Sequence, residues 1–362
     1  MPALDQDPRG APAASVIVLN YNGAGVLPDC LAALAGQELA GGFEVLVVDN
    51  GSGDGSAELV RRDFPGVRLV EAGRNLGFAA GNNLGMREAR GPYLVLLNND
   101  TRVRPGWLAA LVAAADTDPR AGAVTAKILF AASGAIQNAG SLLLSDGSGA
   151  DRGFEQVDTG QFDTPEEVFA GCGASLLLRR RALEATGGLD EDFFMYYEDT
   201  DLCWRLRLRG WRVLYEPRAV VDHLHAVTSG EWSEFFIFHV DRNRLLMILK
   251  NAPWGFVLRS FAGFYGRAVG NAWRSARGAR GGDRGAGGGR GEAAAGPPGA
   301  PSGGFMPRPG RAKVHVKVAL SFAAHAPLMV ARRLRIRRGR RMSDAELRRW
   351  LYPREKWDAR SA

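Results

Sequence analysis

Three carboxylates near the middle of the chain are of a type that could move a proton. Glu198, Asp199 and Asp201 lie between an aromatic cluster and an arginine-rich stretch, in FFMYYEDTDLCWRLRLRG. Acidic residues in the first turn of a helix commonly stabilise the helix dipole, and that is the alternative role for each of them. A carboxylate that is held away from water becomes a stronger base. The neighbours of each residue therefore decide between the two roles.

A helix over 196–209 would give the three carboxylates different neighbours, because residues three, four and seven positions apart share a face. The residues on the face of Asp199 are all apolar: Leu202, Cys203 and Leu206. Asp201 and Glu198 each have Arg205 within reach instead. We expect Asp199 to act as a general base toward a hydroxyl. Asp201 is expected to pair with Arg205, and Glu198 either supports the site by hydrogen bonding or is structural.

Four apolar segments in the first hundred residues predict β-strands. They are SVIVLNYN, FEVLVVDNGSGDGS, VRLVEAG and PYLVLLNND. Helical patterns separate them, and this alternation predicts a mostly parallel sheet flanked by helices, an α/β fold. In such a sheet ligands bind beyond the carboxyl ends of the strands. The polar side chains at these ends are Asn20, Asn22, Asp49, Asn99 and Asp100.

These strand ends suit a nucleotide diphosphate. Asp49 can accept a hydrogen bond from the imide N–H of a pyrimidine base, and the glycines at 51, 53 and 55 let the backbone approach a flat ligand. In RNLGFAAGNN, which contains Asn75 and Asn82, amides near a helix N-terminus favour phosphate. Asp100 offers a hard oxygen ligand for Mg²⁺ or Mn²⁺. The alternatives are turn chemistry for both aspartates and backbone hydrogen bonding for the asparagines.

Two later segments carry further predictions. SDGSGADRG, residues 145–153, is rich in glycine and is expected to be a flexible loop. Aromatic-rich helices are expected from 231 to 275. One of them contains DRNRLL, whose Arg242 and Asn243 are candidates to reach the diphosphate.

Seven segments in order carry a resemblance to a known family. They are SVIVLNYN, VLVVDNGSGDGS, RNLGFAAGNN, LLNND, GCGASLLLRR, FFMYYEDTDLCWRLRLRGWRVLY and HLHAVTS. Over about residues 14–250 the chain resembles the inverting family-2 glycosyltransferases with the GT-A fold, most of all their rhamnosyltransferase-like branch. The resemblance implies transfer of a sugar from a nucleotide diphosphate, with a divalent metal on the diphosphate and one carboxylate as base.

The same resemblance implies roles for individual residues. Asp49 would contact the base of the nucleotide, Asp100 would hold the metal and Asp199 would activate the acceptor. His223 matches a histidine that assists the metal in some members, although a lone histidine is more often an interior residue. His225, two positions on, is an alternative ligand or an acceptor contact. The triplet NND departs from the more acidic triplet of many relatives, so only Asp100 can ligate there as a carboxylate.

Composition limits where the protein works. The three cysteines are widely spaced, which predicts small buried hydrophobes in a reducing compartment. The first residues do not follow the pattern of a secretion signal, and no run of about 20 apolar residues predicts a spanning helix. We expect a cytoplasmic protein that is peripheral on the inner face of the cell membrane.

Four regions are expected: a flexible N-terminus (1–13), a catalytic domain (14–275), a disordered Gly/Pro-rich linker (276–310) and a basic amphipathic helical tail (311–362). The tail holds 15 lysines and arginines against 4 acidic residues, a charge of +11, so the remainder carries −4. Arginines after an apolar patch in 311–341 predict contact with an anionic membrane. The alternatives are a solvated tail or a helix packed on the catalytic domain. No nucleic acid partner is expected, since no aromatic-interleaved basic surface accompanies the tail.

The expected reaction is transfer of a sugar from a nucleotide-diphosphate donor to a hydroxyl of a cell-surface glycan or lipid-linked acceptor. From the resemblance alone, dTDP-L-rhamnose is the first donor to test, with other deoxyhexoses, galactofuranose and UDP- or GDP-sugars open. Two alternatives from other classes are a sugar-nucleotide nucleotidyltransferase and a non-catalytic membrane-associated scaffold. The first should carry a Gly-rich phosphate loop directly after strand one, where this chain has NYNGAGVLPD.

Overall fold

A computed structural model describes residues 10–224, 233–266 and 312–361. The first hundred or so of them alternate strands and helices as predicted. The elements are β1 (Ala14–Asn20), α1 (Leu27–Ala35), β2 (Phe43–Asp49), α2 (Ser56–Asp63), β3 (Arg68–Glu71), α3 (Gly77–Glu88), β4 (Tyr93–Asn98), β5 (Thr101–Val103) and α4 (Trp107–Thr117). The predicted linker over 276–310, most of the N-terminal segment and His225 lie outside the described residues.

The middle of the chain is richer in strands. Its elements are β6 (Ala121–Phe130), β7 (Ile136–Asn138), β8 (Ser141–Leu144), β9 (Gly149–Asp151), β10 (Glu166–Glu167), β11 (Ser175–Arg179), α5 (Arg180–Thr186), a 3-10 turn (Glu191–Phe193), α6 (Glu198–Leu208) and β12 (Arg212–His223). The remaining described elements are α7 (Glu234–Asn251), α8 (254–266), α9 (Ala312–Arg338), α10 (Asp344–Arg349), β13 (Leu351–Tyr352) and α11 (Arg354–Ser361).

The central sheet has the strand order β10-β12-β6-β11-β4-β1-β2-β3, with β5 paired to β12 and β7 to β6. Six of the eight strands on this path run in one direction, and only β10 and β11 oppose them. The predicted α/β fold with a mostly parallel sheet is therefore confirmed. Asn20 lies opposite Asp49 and Leu19 opposite Asn98, so the polar ends of β1, β2 and β4 meet at one edge.

Both faces of the sheet are covered, as continuous apolar strands require. On β1, Ile17 packs into the cluster beneath α3, α6 and α7, whereas Val16 and Val18 pack into the cluster beneath α1 and α4. All three side chains are fully buried. The sheet is thus a rigid middle layer, and its carboxyl edge is the part that remains available to ligands.

Residues 312–361 fold back onto this domain. The helical tail is confirmed, and it takes the third of the forms expected for it, a helix packed on the catalytic domain. Met329 and Leu347 join the main core, and Leu351 of β13 pairs in parallel with Leu143 of β8, in a second sheet with the order β13-β8-β9.

One described helix, Lys313–Arg338, is long and apolar enough to cross a membrane by length and composition, although the apolar part was expected to be too short. The burial of Arg333 and the pairing of Arg332 with Asp190 place the C-terminal half of this helix against the domain instead. Two of the arginines that were expected to face lipid are therefore engaged within the protein.

Candidate active site

Asn20 joins the ends of three strands. Its amide Nδ2 donates to Ser56 Oγ at 2.8 Å and lies 3.5 Å from Asp49 Oδ1, while its Oδ1 accepts from Asn99 Nδ2 at 2.9 Å. Ser52 N–H donates to the other oxygen of Asp49 at 3.2 Å. The structure thus brings together Asn20, Asp49 and Asn99, the residue next to Asp100, as the strand-end prediction requires.

The loops beyond this edge are held by other asparagines. Asn22 Oδ1 accepts from Gly53 N–H at 2.9 Å, and Asn75 Oδ1 accepts from Gly77 N–H at 2.9 Å. Asn50, which the sequence analysis did not single out, is buried and donates to Asn75 Oδ1 at 3.1 Å. Its position directly after Asp49 is the sequence signal that could have identified it.

Gly51 and Asn82 make contacts with other parts of the protein. Gly51 has φ +79°, and a Cβ there would lie 2.6 Å from Arg74 Cα, so this glycine permits packing against the protein's own loop. Asn82 is buried on α3 and donates to Phe78 O at 3.0 Å, and its Oδ1 has no hydrogen-bond partner among the described residues. Asn82 therefore does not share in the strand-end contacts of Asn20.

Asp100 and His223 lie together because β5 and β12 pair, with His223 opposite Thr101. His223 Nε2 lies 3.1 Å from Asp100 Oδ1 and 3.3 Å from Asn98 Nδ2, and its Nδ1 lies 2.7 Å from Gln137 Oε1. Gln137 on β7 was not predicted, because nothing in the local sequence distinguishes it. It supports His223 from the side opposite Asp100.

This arrangement fits a divalent cation. Gln137 Oε1 can only accept, so it selects the tautomer with the proton on Nδ1 and leaves the Nε2 lone pair toward the Asp100 carboxylate. A cation between a lone pair and a carboxylate oxygen removes their repulsion. Among the described residues no group of three or more His, Cys, Asp and Glu side chains could hold a metal. The protein would therefore supply Asp100 and His223, and the other ligands would come from water and substrate oxygens.

Asp199 lies at the N-terminus of α6, in a partly buried position. Its Oδ2 accepts from Gly173 N–H at 2.9 Å, and its Oδ1 accepts from Thr200 Oγ1 at 3.1 Å. Burial raises the pKa of the Asp199 carboxyl, although the hydrogen bonds from Gly173 and Thr200 offset part of the effect. The apolar face predicted beside it is present, since Leu202, Cys203 and Leu206 are fully buried.

The other two carboxylates of this stretch differ from Asp199. Asp201 is fully buried and pairs with Arg205 at 2.8 Å, as predicted. Glu198 does not share that cation, and its Oε2 has no hydrogen-bond partner among the described residues. Burial, and then the charge of Asp199, raise the pKa of Glu198 well above its usual range.

A chain of hydrogen bonds connects Asp199 to the sheet edge. Gly173, its amide partner, precedes Ala174, whose carbonyl accepts from Asn98 N–H at 3.1 Å. Asn98 is the last residue of β4 and lies two positions before Asp100. Asp199 is therefore connected, through Gly173 and Ala174, to the strand end that precedes Asp100.

Asp151 is a further carboxylate near Asp199, and its local sequence did not mark it as a candidate. Residues 145–153 were expected to be a flexible loop, but 149–151 form β9, and Asp151 accepts from Asn138 Nδ2 at 2.6 Å and Ser141 Oγ at 3.2 Å. Burial raises the pKa of Asp151 to about 6, with a further contribution from the charge of Asp199. Asp151 is therefore close enough to Asp199 to feel its charge.

Arg242 and Asn243 do not lie where they were expected. Arg242 donates to Asp192 O at 2.8 Å and to Phe193 O at 3.0 Å, and Asn243 donates to Phe193 O and Tyr196 O, both at 2.8 Å. The segment that they hold contains three non-glycine residues with positive φ: Phe194 (65°), Tyr196 (69°) and Tyr197 (71°). These two side chains thus stabilise the strained backbone that leads into α6.

Comparisons with known proteins identify the family of the chain. The sequence model described as Glycosyl transferase family 2 matches residues 15–187. The N-acetylglucosaminyl-diphospho-decaprenol L-rhamnosyltransferase of Mycobacterium tuberculosis is 33% identical over 208 residues, which cover 51% of this chain and 68% of that protein. The pre-mycofactocin glycosyltransferase of the same species is 28% identical over 245 residues, 62% of this chain and 49% of that one. An uncharacterized protein of Sinorhizobium fredii is 30% identical over 234 residues, 61% of this chain but only 25% of its own length.

Solved structures share the fold. A mannosyltransferase from Pyrobaculum calidifontis, in complex with GDP-Man and Mn²⁺, superimposes with a TM-score of 0.50 at 20% identity, covering 92% of this chain and 87% of that one. GalNAc-T7 with UDP, GalNAc and Mn²⁺ gives a TM-score of 0.52 at 15% identity over 67% of this chain and 48% of that one. The fold is that of the GT-A glycosyltransferases.

The chain belongs to glycosyl transferase family 2. The predicted family, fold and enzyme class are thereby confirmed. The matched 15–187 segment ends before α6, so Asp199 and His223 lie beyond it.

Proposed function

We propose that the protein transfers a sugar from a nucleotide-diphosphate donor to an acceptor hydroxyl with inversion, using Asp199 as the general base. The observation that carries this proposal is the contact between Asp199 and Gly173, beside the strand end that bears Asp100. A carboxylate whose pKa is raised by burial is suited to taking a proton from a hydroxyl.

In this reaction the acceptor oxygen forms a bond to the anomeric carbon while the bond from that carbon to the diphosphate oxygen breaks. The acceptor proton passes to an oxygen of Asp199, and the diphosphate leaves with the bonding electrons. Attack from the face opposite the diphosphate inverts the anomeric configuration. Glu198, whose pKa burial raises well above its usual range, would support the site by hydrogen bonding.

The donor would lie over the ends of β1, β2 and β4. Asp49 would face the nucleotide base, with Asn20, Asn22, Asn75, Asn82 and Asn99 along the donor. Asp100 and His223 would hold Mg²⁺ or Mn²⁺, which would offset the charge that develops on the diphosphate. The pairing of a carboxylate with a histidine of fixed tautomer supports this assignment, as does the Mn²⁺ in the two solved relatives.

L-Rhamnose from dTDP-L-rhamnose is the first donor to test, because one relative, at 33% identity, is named as an L-rhamnosyltransferase. The solved relatives contain GDP-Man or UDP, so those nucleotides belong in the same panel. The name of the Mycobacterium tuberculosis relative also supports a lipid-linked acceptor, with a cell-surface glycan as the alternative.

We propose further that the protein binds an anionic membrane surface from the cytoplasmic side through the exposed face of α8 and α9. Large apolar side chains are exposed on both helices: Trp254, Leu258, Tyr265, Val316, Leu320, Leu328 and Leu334. Exposed basic side chains accompany them: Arg259, Lys313, Lys317, Arg335 and Arg338. Apolar burial together with about 1 kcal/mol per basic residue near an anionic surface would favour such contact.

A donor panel tests the proposed reaction. The full chain is incubated with dTDP-, UDP- and GDP-sugars in the presence of Mg²⁺ or Mn²⁺, and released nucleoside diphosphate is measured. Release from one donor supports a glycosyltransferase, and NMR of the product anomeric proton reports inversion. Release of pyrophosphate would instead indicate a nucleotidyltransferase, and no release from any donor would favour a non-catalytic scaffold.

A further inference from the structure

A network of buried charges lies behind the helix that carries Asp199. On α6, Asp201 is fully buried and pairs with Arg205 and with Lys250 of α7, each at 2.8 Å, and it accepts from Asn251 Nδ2 at 2.7 Å. Lys250 also pairs with Asp190, which precedes the 3-10 turn. The start of α6 is therefore tied to α7 and to the turn before it by charged hydrogen bonds.

The tail supplies the last member of this network. Arg332 of α9 pairs with Asp190, and with Asp192 at 2.6 Å. We call the six ion-paired residues the α6 charge network: Asp190, Asp192, Asp201, Arg205, Lys250 and Arg332. It contains three acids and three bases. Without Arg332, Asp192 would lose its ion pair and Asp190 would lose one of its two.

Other contacts hold the tail in the position that brings Arg332 next to Asp190 and Asp192. Arg333 is buried and donates to Leu249 O at 2.7 Å. Trp350, directly after α10, lies under the guanidinium of Arg207, a residue of α6 itself, with the carbon of that group 3.7 Å from the ring centroid. The tail thus contacts α6 directly through Trp350 and indirectly through Arg332.

We propose that the C-terminal segment is part of the half of the site that activates the acceptor, and that Arg332 is a positioning residue for Asp199. This proposal rests on the proposed role of Asp199 as the general base. Arg332 balances Asp190 and Asp192, which leaves Lys250 available to hold Asp201 at the start of α6. Removing one partner of a buried ion pair leaves an uncompensated charge, and the segment carrying Asp190 would rearrange to reach water.

The test compares Arg332→Met with Arg337→Met in the full-length protein. Arg337 is exposed on the same helix and lies outside the α6 charge network, so its variant is the matched control. Hydrogen exchange measured by mass spectrometry reports local opening of peptides that cover 190–203 and, separately, 14–56 at the donor edge. The turnover number for transfer and the Kd for nucleotide are measured on the same samples, well below the melting temperature.

We expect faster exchange over 190–203, unchanged exchange over 14–56 and a loss of about 10-fold or more in kcat with nucleotide Kd unchanged, because misplacing a catalytic group chiefly affects the chemical step. Arg332→Lys keeps the charge and should recover part of the loss. The double variant Asp192→Asn/Arg332→Met also removes the carboxylate that has lost its ion pair, and it should exchange more slowly than the single variant.

Unchanged exchange over 190–203 in Arg332→Met would overturn the inference, and so would a double variant that exchanges as fast as the single one. If the wild-type protein turns over no sugar nucleotide, the proposed function fails, and the exchange comparison still decides whether Arg332 holds this segment.

Discussion

Asp199 Oδ2 accepts a 2.9 Å hydrogen bond from the backbone N–H of Gly173. The residue after Gly173 pairs with the last residue of β4, two positions before Asp100. The candidate base and the candidate metal ligand are therefore positioned by the same pair of strands. Two consecutive hydrogen bonds thus connect Asp199 to the end of β4.

The pH dependence of transfer should report the raised pKa of Asp199. Activity requires the charged carboxylate, so kcat falls as the pH drops through this pKa, which lies above that of an exposed aspartate. A pH–rate profile with saturating donor measures the position of this acid limb. Asp29→Asn, an exposed site, should leave the limb in place, and an acid limb at the pH expected for an exposed aspartate would contradict the raised pKa of Asp199.

Glu198→Gln should change how stability depends on pH. The pKa of Glu198 is raised in the folded protein, so the native state binds its proton more tightly than the unfolded chain does. The wild-type protein therefore loses stability as the pH rises from the unfolded value through the folded pKa. Glutamine has no charge to bury, so the difference in melting temperature in favour of the variant should grow with pH across that window. A difference independent of pH would mean that Glu198 is not buried in this way.

Gln137→Leu should weaken metal binding by about 10- to 100-fold, the usual cost of removing a hydrogen bond that orients a ligating histidine. Titration of Mn²⁺ into the full chain, followed by the EPR signal of free Mn²⁺, measures the Kd. Gln156→Leu, at an exposed position, is the control. Equal Mn²⁺ affinity in all three proteins would show that His223 is not a ligand.

Flotation with vesicles tests the α8–α9 face. Leu258 and Leu320 are 66% and 68% exposed, and replacing both by Asp adds charge where apolar contact is proposed. The double variant should lose binding to vesicles with anionic lipid while keeping its melting temperature. Val157→Asp, at another exposed apolar residue, should float as the wild-type protein does. If the double variant floats as well as the wild-type protein, this face does not bind the membrane. Deleting the tail is a poorer test, because it also removes core residues such as Met329.

Much of the fold and of the donor side could be predicted because their signals are local. A buried strand followed by polar residues marks both Asn20 and Asp49, and parallel pairing brings such strand ends to one edge. The apolar side of Asp199 followed from helical spacing alone. In each case neighbours in sequence determine the neighbours in space.

The remaining features depend on contacts between distant segments. Gln137 reaches His223 across 86 positions, and Arg332 reaches Asp190 across 142. Asp151 lies in a glycine-rich stretch whose composition predicts flexibility, but β8 and Asn138 hold it in a strand. Arg242 and Asn243 were expected at the diphosphate because their side chains are hydrogen-bond donors. In the structure they donate to backbone carbonyls beside the strained residues at 194–197.

The most direct measurement is transfer by Asp199→Asn, assayed with the donor that the wild-type protein accepts, alongside the Kd for the matching nucleoside diphosphate. Asparagine keeps an oxygen that can accept the Gly173 hydrogen bond but cannot take the acceptor proton. We predict a loss of about 10²- to 10⁴-fold in kcat, with nucleotide Kd unchanged. An Asp199→Asn protein that transfers sugar at the wild-type rate would contradict the account.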